Sequence, residues 1–376
     1  MAPPPLRLMP TEVLSLAAEK LCVHCLDPEA ARRGGNNAIN TAALATLGQT
    51  SRRFNGIANG YLFHAPALTD PSRWPLLART LIARPDLASK VHILEIDDDQ
   101  FDSADYNNCT WYSTFSCNGW TRLPEVMAFY NAQKAIHDPN GTPPYCVHTD
   151  RRSATKVLTA LCPNIRKLSS THVHRDAFLF LGAPGTLMLN SLTEIDLNPP
   201  GHYNALALCN ELLRVAPNLA RITIRNIRWG FRFPPGHLLA TDIFPNVRYL
   251  RVENACLDRA ILRQILEHFP NLEVFHYTAG GYELGQWQFE LLDGANDVVR
   301  RNGGHLREFH LDFSRDVWPT HNHWNNPQPH PRIPTRKQIR TARWLVRKHA
   351  GIRYQYVPHG PDVRFRMPLH PEYQQS

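Results

Sequence analysis

Cys22-Val23-His24-Cys25 is the first group in the chain with the residue types and spacing for chemistry, since thiols and an imidazole this close together can ligate zinc. A closed zinc site of the usual spacing needs a second Cys/His pair at a matching gap, and none follows. The motif therefore reads as a helix end with buried or incidental thiols. His321-Asn322-His323 with His330 could hold a metal adventitiously, but the Pro/Asn-rich run from Pro319 to Pro334 around them reads as an insertion or linker. Asp97-Asp98-Asp99 lacks the loop glycine and terminal glutamate of a calcium hand and reads as solvated acids. No P-loop, dinucleotide fingerprint or G-x-S-x-G elbow is present. The expectation is a non-catalytic protein with no metal site and no cofactor.

Residues suited to recognition are more numerous. Arg228-Trp229-Gly230-Phe231-Arg232-Phe233 interleaves aromatics with arginines, the composition of binding hot spots, and Trp229 and Phe231 are candidates to contact a partner. Tyr106, Trp111, Tyr112, Phe115 and Trp120 add rings between residues 101 and 145. The alternative for all of these is packing against neighbouring helices.

The elements that must position such residues follow from a repeat. An apolar anchor, often introduced by Pro-Asn, is followed by apolar residues three and five positions later: Val91/Leu94/Ile96, Ile165/Leu168, Leu192/Ile195/Leu197, Leu219/Ile222/Ile224, Val247/Leu250/Val252, Leu272/Phe275/Tyr277 and Leu306/Phe309/Leu311. From Ile165 onward the anchors lie 27, 27, 28, 25 and 34 residues apart. Positions three and five share one face of a short strand, where the side-chain period is two. Helical stretches precede several strands, at 154–161, 203–215, 257–269 and 285–301, and Pro163, Pro217, Pro245 and Pro270 stop what precedes them. One helix-strand unit cannot bury both its faces, but stacked neighbours can.

Spacing and the L-x-x-L-x-L core resemble leucine-rich repeats, with Asn198, Asn226 and Asn254 approximating an asparagine ladder after the strand. The resemblance implies a curved solenoid with a parallel sheet on its concave face. Positions two, four and six after each anchor would then face a ligand; Arg221, Arg225, Tyr249, Arg251, His276 and His310 are the substrate-binding candidates on that row. Two readings stand for them: a clamp in which Arg221, Arg225 and Arg251 grip a carboxylate or phosphate, or charges pairing across neighbouring strands.

Residues 6–64 form a different module. Pro10 suits a helix start, Val13, Leu14, Ala17 and Leu21 make an apolar stripe, and two further helices are expected over 41–49 and 51–60. Three small helices bury little surface and would be marginal alone. Leu8-Met9-Pro10-Thr11-Glu12-Val13-Leu14, followed by Ala43-Leu44-Ala45-Thr46-Leu47-Gly48-Gln49-Thr50-Ser51-Arg52-Arg53-Phe54-Asn55-Gly56-Ile57-Ala58, resembles an F-box of the kind found in fungal proteins. The run from Leu76 to Leu87 before Val91 likewise resembles the segment that joins such a box to the first repeat. The resemblance implies a substrate receptor of an SCF-type cullin-RING ubiquitin ligase. Its box would dock on a Skp-type adaptor, and through it a cullin scaffold, while its repeats hold an unknown protein substrate. Pro10, Val13, Leu14, Leu47 and Phe54 match positions of that box and are the adaptor-contact candidates. A helical cap sealing one end of the repeat array is the alternative.

The expected organisation is α/β: a three-helix F-box-like module (6–64), a helical connector (65–89), and a leucine-rich-repeat-like solenoid (90–313) with an insertion at about 97–150. After these come a Pro/Asn/His-rich linker (314–334), a basic helix and strand (335–357) and a tail (358–376). Arg336, Arg340, Arg343 and Arg347 share one face of that basic helix, which reads as part of a degenerate final repeat. The chain's formal charge of +8 belongs to residues 331–376, where ten Lys+Arg meet two Asp+Glu; the other 330 residues sum to zero. A general polyanion-binding body is disfavoured, and nucleic acid belongs to the alternative function, a repeat scaffold outside ubiquitin chemistry whose basic terminus binds nucleic acid or an acidic protein. The apolar runs are too short to span a bilayer and three consecutive prolines interrupt residues 1–10, so a cytoplasmic or nuclear protein without signal peptide is expected.

Overall fold

The computed structural model describes residues 9–22, 25, 37–68, 73–96, 123–137, 150–170, 188–198, 212–225, 243–255, 267–279, 305–312 and 353–357. Trp229, Phe231, the aromatics between 101 and 122, the linker at 314–334 and the basic helix lie outside them. The chain is mixed α/β with an open parallel sheet, and it divides into two compact units, Met1–Asp98 with Asn108–Leu168 and Asp99–Asn107 with Ser169–Ser376.

The first unit begins with three packed helices, α1 (Thr11–Leu21), α2 (Asn37–Thr50) and α3 (Arg52–Leu62). Leu14, Ala18 and Cys22, spaced by four, are the buried line of the first segment, and Leu44, Phe54 and Ala58 close the small core. The buried stripe thus sits on Leu14-Ala18-Cys22 rather than on the expected Val13-Leu14-Ala17-Leu21, and Ala17 is exposed. Ser51 caps α3, its hydroxyl accepting from the Phe54 N–H at 3.2 Å, which sets the boundary between the second and third helices. Arg53 donates to the Met9 carbonyl and to the Thr11 hydroxyl, both at 2.8 Å, and so fixes the start of α1.

The stretch expected to be a helical connector already contains a strand. β1 (Ala67–Leu68) pairs in parallel with β2 (Ile93–Ile96), and between them lie α4 (Trp74–Ala83) and α5 (Pro85–Ala88). Trp74, Ala78 and Leu81 form the fully buried stripe of α4. α6 (Pro124–His137) falls inside the expected insertion, and α7 (Asp150–Leu161) starts four residues before the predicted helix; both pack on α4.

In the second unit, β4 (Glu194–Leu197), β5 (Arg221–Arg225), β6 (Tyr249–Ala255), β7 (Val274–Ala279), β8 (Glu308–Asp312) and β9 (Arg353–Val357) pair in parallel in chain order. β3 (Lys167–Ser170) spans the division between the units. The expected anchors Val91, Ile165, Leu192, Leu219, Val247, Leu272 and Leu306 are all buried, as are the apolar residues at plus three and, where described, plus five. At the plus-five position of β3 stands Ser170, which is also buried. Each fully buried aliphatic or aromatic side chain stabilises by about 1.5–3 kcal/mol relative to exposure, so these triplets are what hold one rung on the next. Phe275 and Phe309 stack at 5.6 Å in the same layer. Where the β6–β7 register shifts, the Tyr277 hydroxyl donates to the Ala255 carbonyl at 2.6 Å, supplying a partner that a buried carbonyl there requires.

Two polar ladders repeat with the rungs. One carbonyl, just after the anchor, accepts two successive N–H groups of the next rung: His92 O from Arg166 and Lys167, Thr193 O from Ala220 and Arg221, Ala220 O from Arg248 and Tyr249, Arg248 O from Glu273 and Val274. His64 O does the same for His92 and Ile93, so the pattern begins directly after α3. The second ladder uses asparagine before the anchor. Asn164 donates to Ser89 O, Asn218 to Asn190 O, Asn246 to Pro217 O and Asn271 to Pro245 O, at 2.7–2.9 Å. This gives the recurring Pro-Asn its physical meaning: proline stops the preceding helix and asparagine ties the turn to the rung before it.

Candidate functional site

Strands β4 to β8 turn their outward positions onto one face, because the apolar alternates are committed to the core. Register then decides which neighbours meet. Glu194 lies opposite Arg221, Asp196 opposite Thr223, Thr223 opposite Arg251, and Arg225 opposite Glu253. Arg221 Nε sits 3.8 Å from Glu194, while Arg225 reaches Asp196 at 2.7 Å and Glu253 at 3.4 Å. Arg251 pairs with Glu253 along its own strand. Three acidic and three basic side chains therefore neutralise one another. Pairing across strands is what the geometry shows for Arg221 and Arg225, and Arg251 pairs within its own strand, so the three do not form an unpaired anion clamp.

A different feature remains on the same face. The Arg221 guanidinium carbon lies 4.3 Å over the Tyr249 ring, Tyr249 contacts His276 at 5.6 Å, and His276 contacts His310 at 5.3 Å between ring centroids. His276 Nε2 also meets a Glu308 carboxylate oxygen at 2.7 Å. The predicted candidates Arg221, Tyr249, His276 and His310 are thus brought together as a continuous strip of flat, half-exposed groups. Such a strip offers contact area at low conformational cost. Arg225 and Arg251 belong to the ion-paired border of the strip.

The adaptor-contact candidates separate by exposure. Pro10 and Val13 are exposed, Val13 at 46%, and Leu47 is half-buried. Leu14 and Phe54 are 2% and 8% exposed, so they hold the three helices together and are not offered to a partner. Leu16, which sequence reasoning missed, is 56% exposed and stands three positions after Val13 on the same side of α1. The signal was present in the sequence as an apolar residue off the buried stripe.

Cys22, Cys25 and His64 form a third group that one-dimensional spacing did not reveal. Their donor atoms lie within 4.8 Å of one another. Partial desolvation first, then the neighbouring Cys22 side chain, push the Cys25 thiol up to about 12. That is the reverse of the electropositive environment that activates a nucleophilic cysteine. No helix among the described residues is long and apolar enough to cross a membrane. No protein-family model matches the chain, and no curated protein matches it significantly.

Proposed function

We propose that the protein is the substrate-recognition subunit of an SCF-type ubiquitin ligase, its N-terminal helices docking on a Skp-type adaptor linked to a cullin. In this reading it is a non-catalytic receptor acting in the cytoplasm or nucleus, and transfer chemistry belongs to other subunits. The observation that supports it most is the exposed apolar line of α1. A helix in a small module ordinarily turns such residues inward, yet Val13 and Leu16 stand outside while Leu14 and Ala18 fill the core. Arg53 holds the Met9–Thr11 entry in place beside that line. The F-box-like residues and the rungs that follow them are the remaining support. The substrate would lie on the outward face of β4–β8, against the strip from Arg221 to His310. Its charge-neutral border points to a segment bound through flat and apolar groups, with a phosphate-dominated contact disfavoured.

The test is co-purification of the full chain with a Skp-type adaptor, comparing wild type with Val13→Asp/Leu16→Asp. Both positions are exposed, so the double variant should fold and lose the adaptor. Equal retention by both proteins, or no retention by wild type, ends the assignment.

A further inference from the structure

α1 closes at Cys22, which is 2% exposed, and the Cys22 carbonyl accepts from the Cys25 N–H at 3.0 Å, so a single turn brings both thiols to one side. His64 arrives there from the turn that follows α3. Its Nδ1 lies 3.9 Å from Cys22 Sγ and 3.4 Å from Cys25 Sγ. A tetrahedral zinc with metal–sulfur bonds of about 2.3 Å and metal–nitrogen bonds of about 2.0–2.1 Å places sulfur and nitrogen roughly 3.6 Å apart. The two observed separations bracket that value.

We propose that Cys22, Cys25 and His64 bind one divalent cation of borderline softness, zinc above all. Two sulfurs and one imidazole nitrogen select such an ion over magnesium or calcium, which take oxygen ligands. Two thiolates cancel its charge, as a half-buried site requires. Cys25 is exposed, which supplies an access path and leaves the fourth position for water or an outside ligand. The imidazole is held from behind. His64 packs against the Tyr61 ring at 5.1 Å and the His92 ring at 4.9 Å, and its carbonyl accepts from both His92 and Ile93 at 2.9 Å. Support of this kind orients a ligand before the metal arrives. The ion would fasten the end of α1 to the turn where the β1–β2 pairing begins, which makes it a structural clasp of the first unit.

Full-length protein purified under reducing conditions and incubated with zinc, then dialysed, should retain about one ion per chain. Cobalt in its place should give the thiolate charge-transfer and tetrahedral d–d bands. Cys25→Ser and His64→Ala should each lose the ion, whereas His321→Ala/His323→Ala/His330→Ala should keep it. Cys25 is exposed, so Cys25→Ser tests ligation without opening the core, and a chelator should lower the melting temperature of wild type but not of this variant. The proposal is overturned if reduced wild type takes up no zinc, if Cys25→Ser binds as wild type does, or if thiol titration finds Cys22 and Cys25 joined as a disulfide whose reduction brings no uptake.

Discussion

Replacing Asn246 probes whether the turns between rungs are held by side chains or only by the apolar core. Its Nδ2 donates to Pro217 O at 2.7 Å, and the residue is exposed. A backbone carbonyl can only accept, so the amide must present its NH2 group. One net hydrogen bond is worth about 0.5–1.5 kcal/mol, and water can replace the lost donor at an exposed carbonyl, so Asn246→Ala should cost about 0.5–1 kcal/mol. Asn218 and Asn271 make the same bond one rung to either side. Adjacent rungs are about 4.8 Å apart and couple, whereas Asn218 and Asn271 are separated by roughly 10 Å, so their costs should add to within about 0.5 kcal/mol. Urea unfolding followed by circular dichroism reads this directly. With a slope near 3 kcal/mol/M, each alanine should move the midpoint down by about 0.2–0.3 M without changing the slope. The discriminating variant is Asn246→Asp, which sets a carboxylate oxygen against the carbonyl and should be worse than alanine. If Asn246→Asp is no more destabilising than Asn246→Ala, the side chain is not donating and the ladder reasoning is wrong.

Phe275→Ala should cost about 3–5 kcal/mol, because the ring is fully buried between rungs, and its double-mutant cycle with Phe309→Ala should show a coupling of about 0.5–1.5 kcal/mol in the same urea assay. Arg84 holds the Asp86 carboxyl below its usual range, so any stability from this pair is fully present above about pH 4 and fades as pH falls through the lower folded value. Thermal melts from pH 6 to pH 2 should therefore converge for wild type and Asp86→Asn at the acid end, and curves that stay parallel throughout would remove the pair from the account.

What was legible in the sequence was whatever a period of two forces. Ile195 and Leu197 could be assigned to a core because residues two apart on a strand share one face, with Leu192 the apolar anchor that precedes them. β9 lies within the strand expected at the end of the 335–357 segment. β1 was not legible, because two residues after a helix end carry no periodicity at all. Among the described outward positions Glu253 is buried and the others are half-buried or exposed, and whether Arg225 faces a ligand or Asp196 depends on register, which is a property of two strands at once. Asparagine was sought after the strand, although Asn218, Asn246 and Asn271 sit before the anchor, where a side chain reaches the preceding turn. The cluster at Cys22 was hidden most deeply, since His64 lies 39 positions from Cys25 and no second pair announces it.

The asparagine ladder also fixes how expensive it is to lengthen the chain between two rungs. Asn218, Asn246 and Asn271 span 28, 29 and 26 positions, whereas Asn164 makes the same bond to Ser89 across 75. Closure entropy grows only with the logarithm of loop length, so the longer excursion costs about 0.9 kcal/mol more than an ordinary one. A single buried leucine outweighs that. The stretch between Ile96 and Ile165 is therefore a place where this architecture can hold extra sequence at small cost, and α6, inside it, returns part of the entropy by packing on α4.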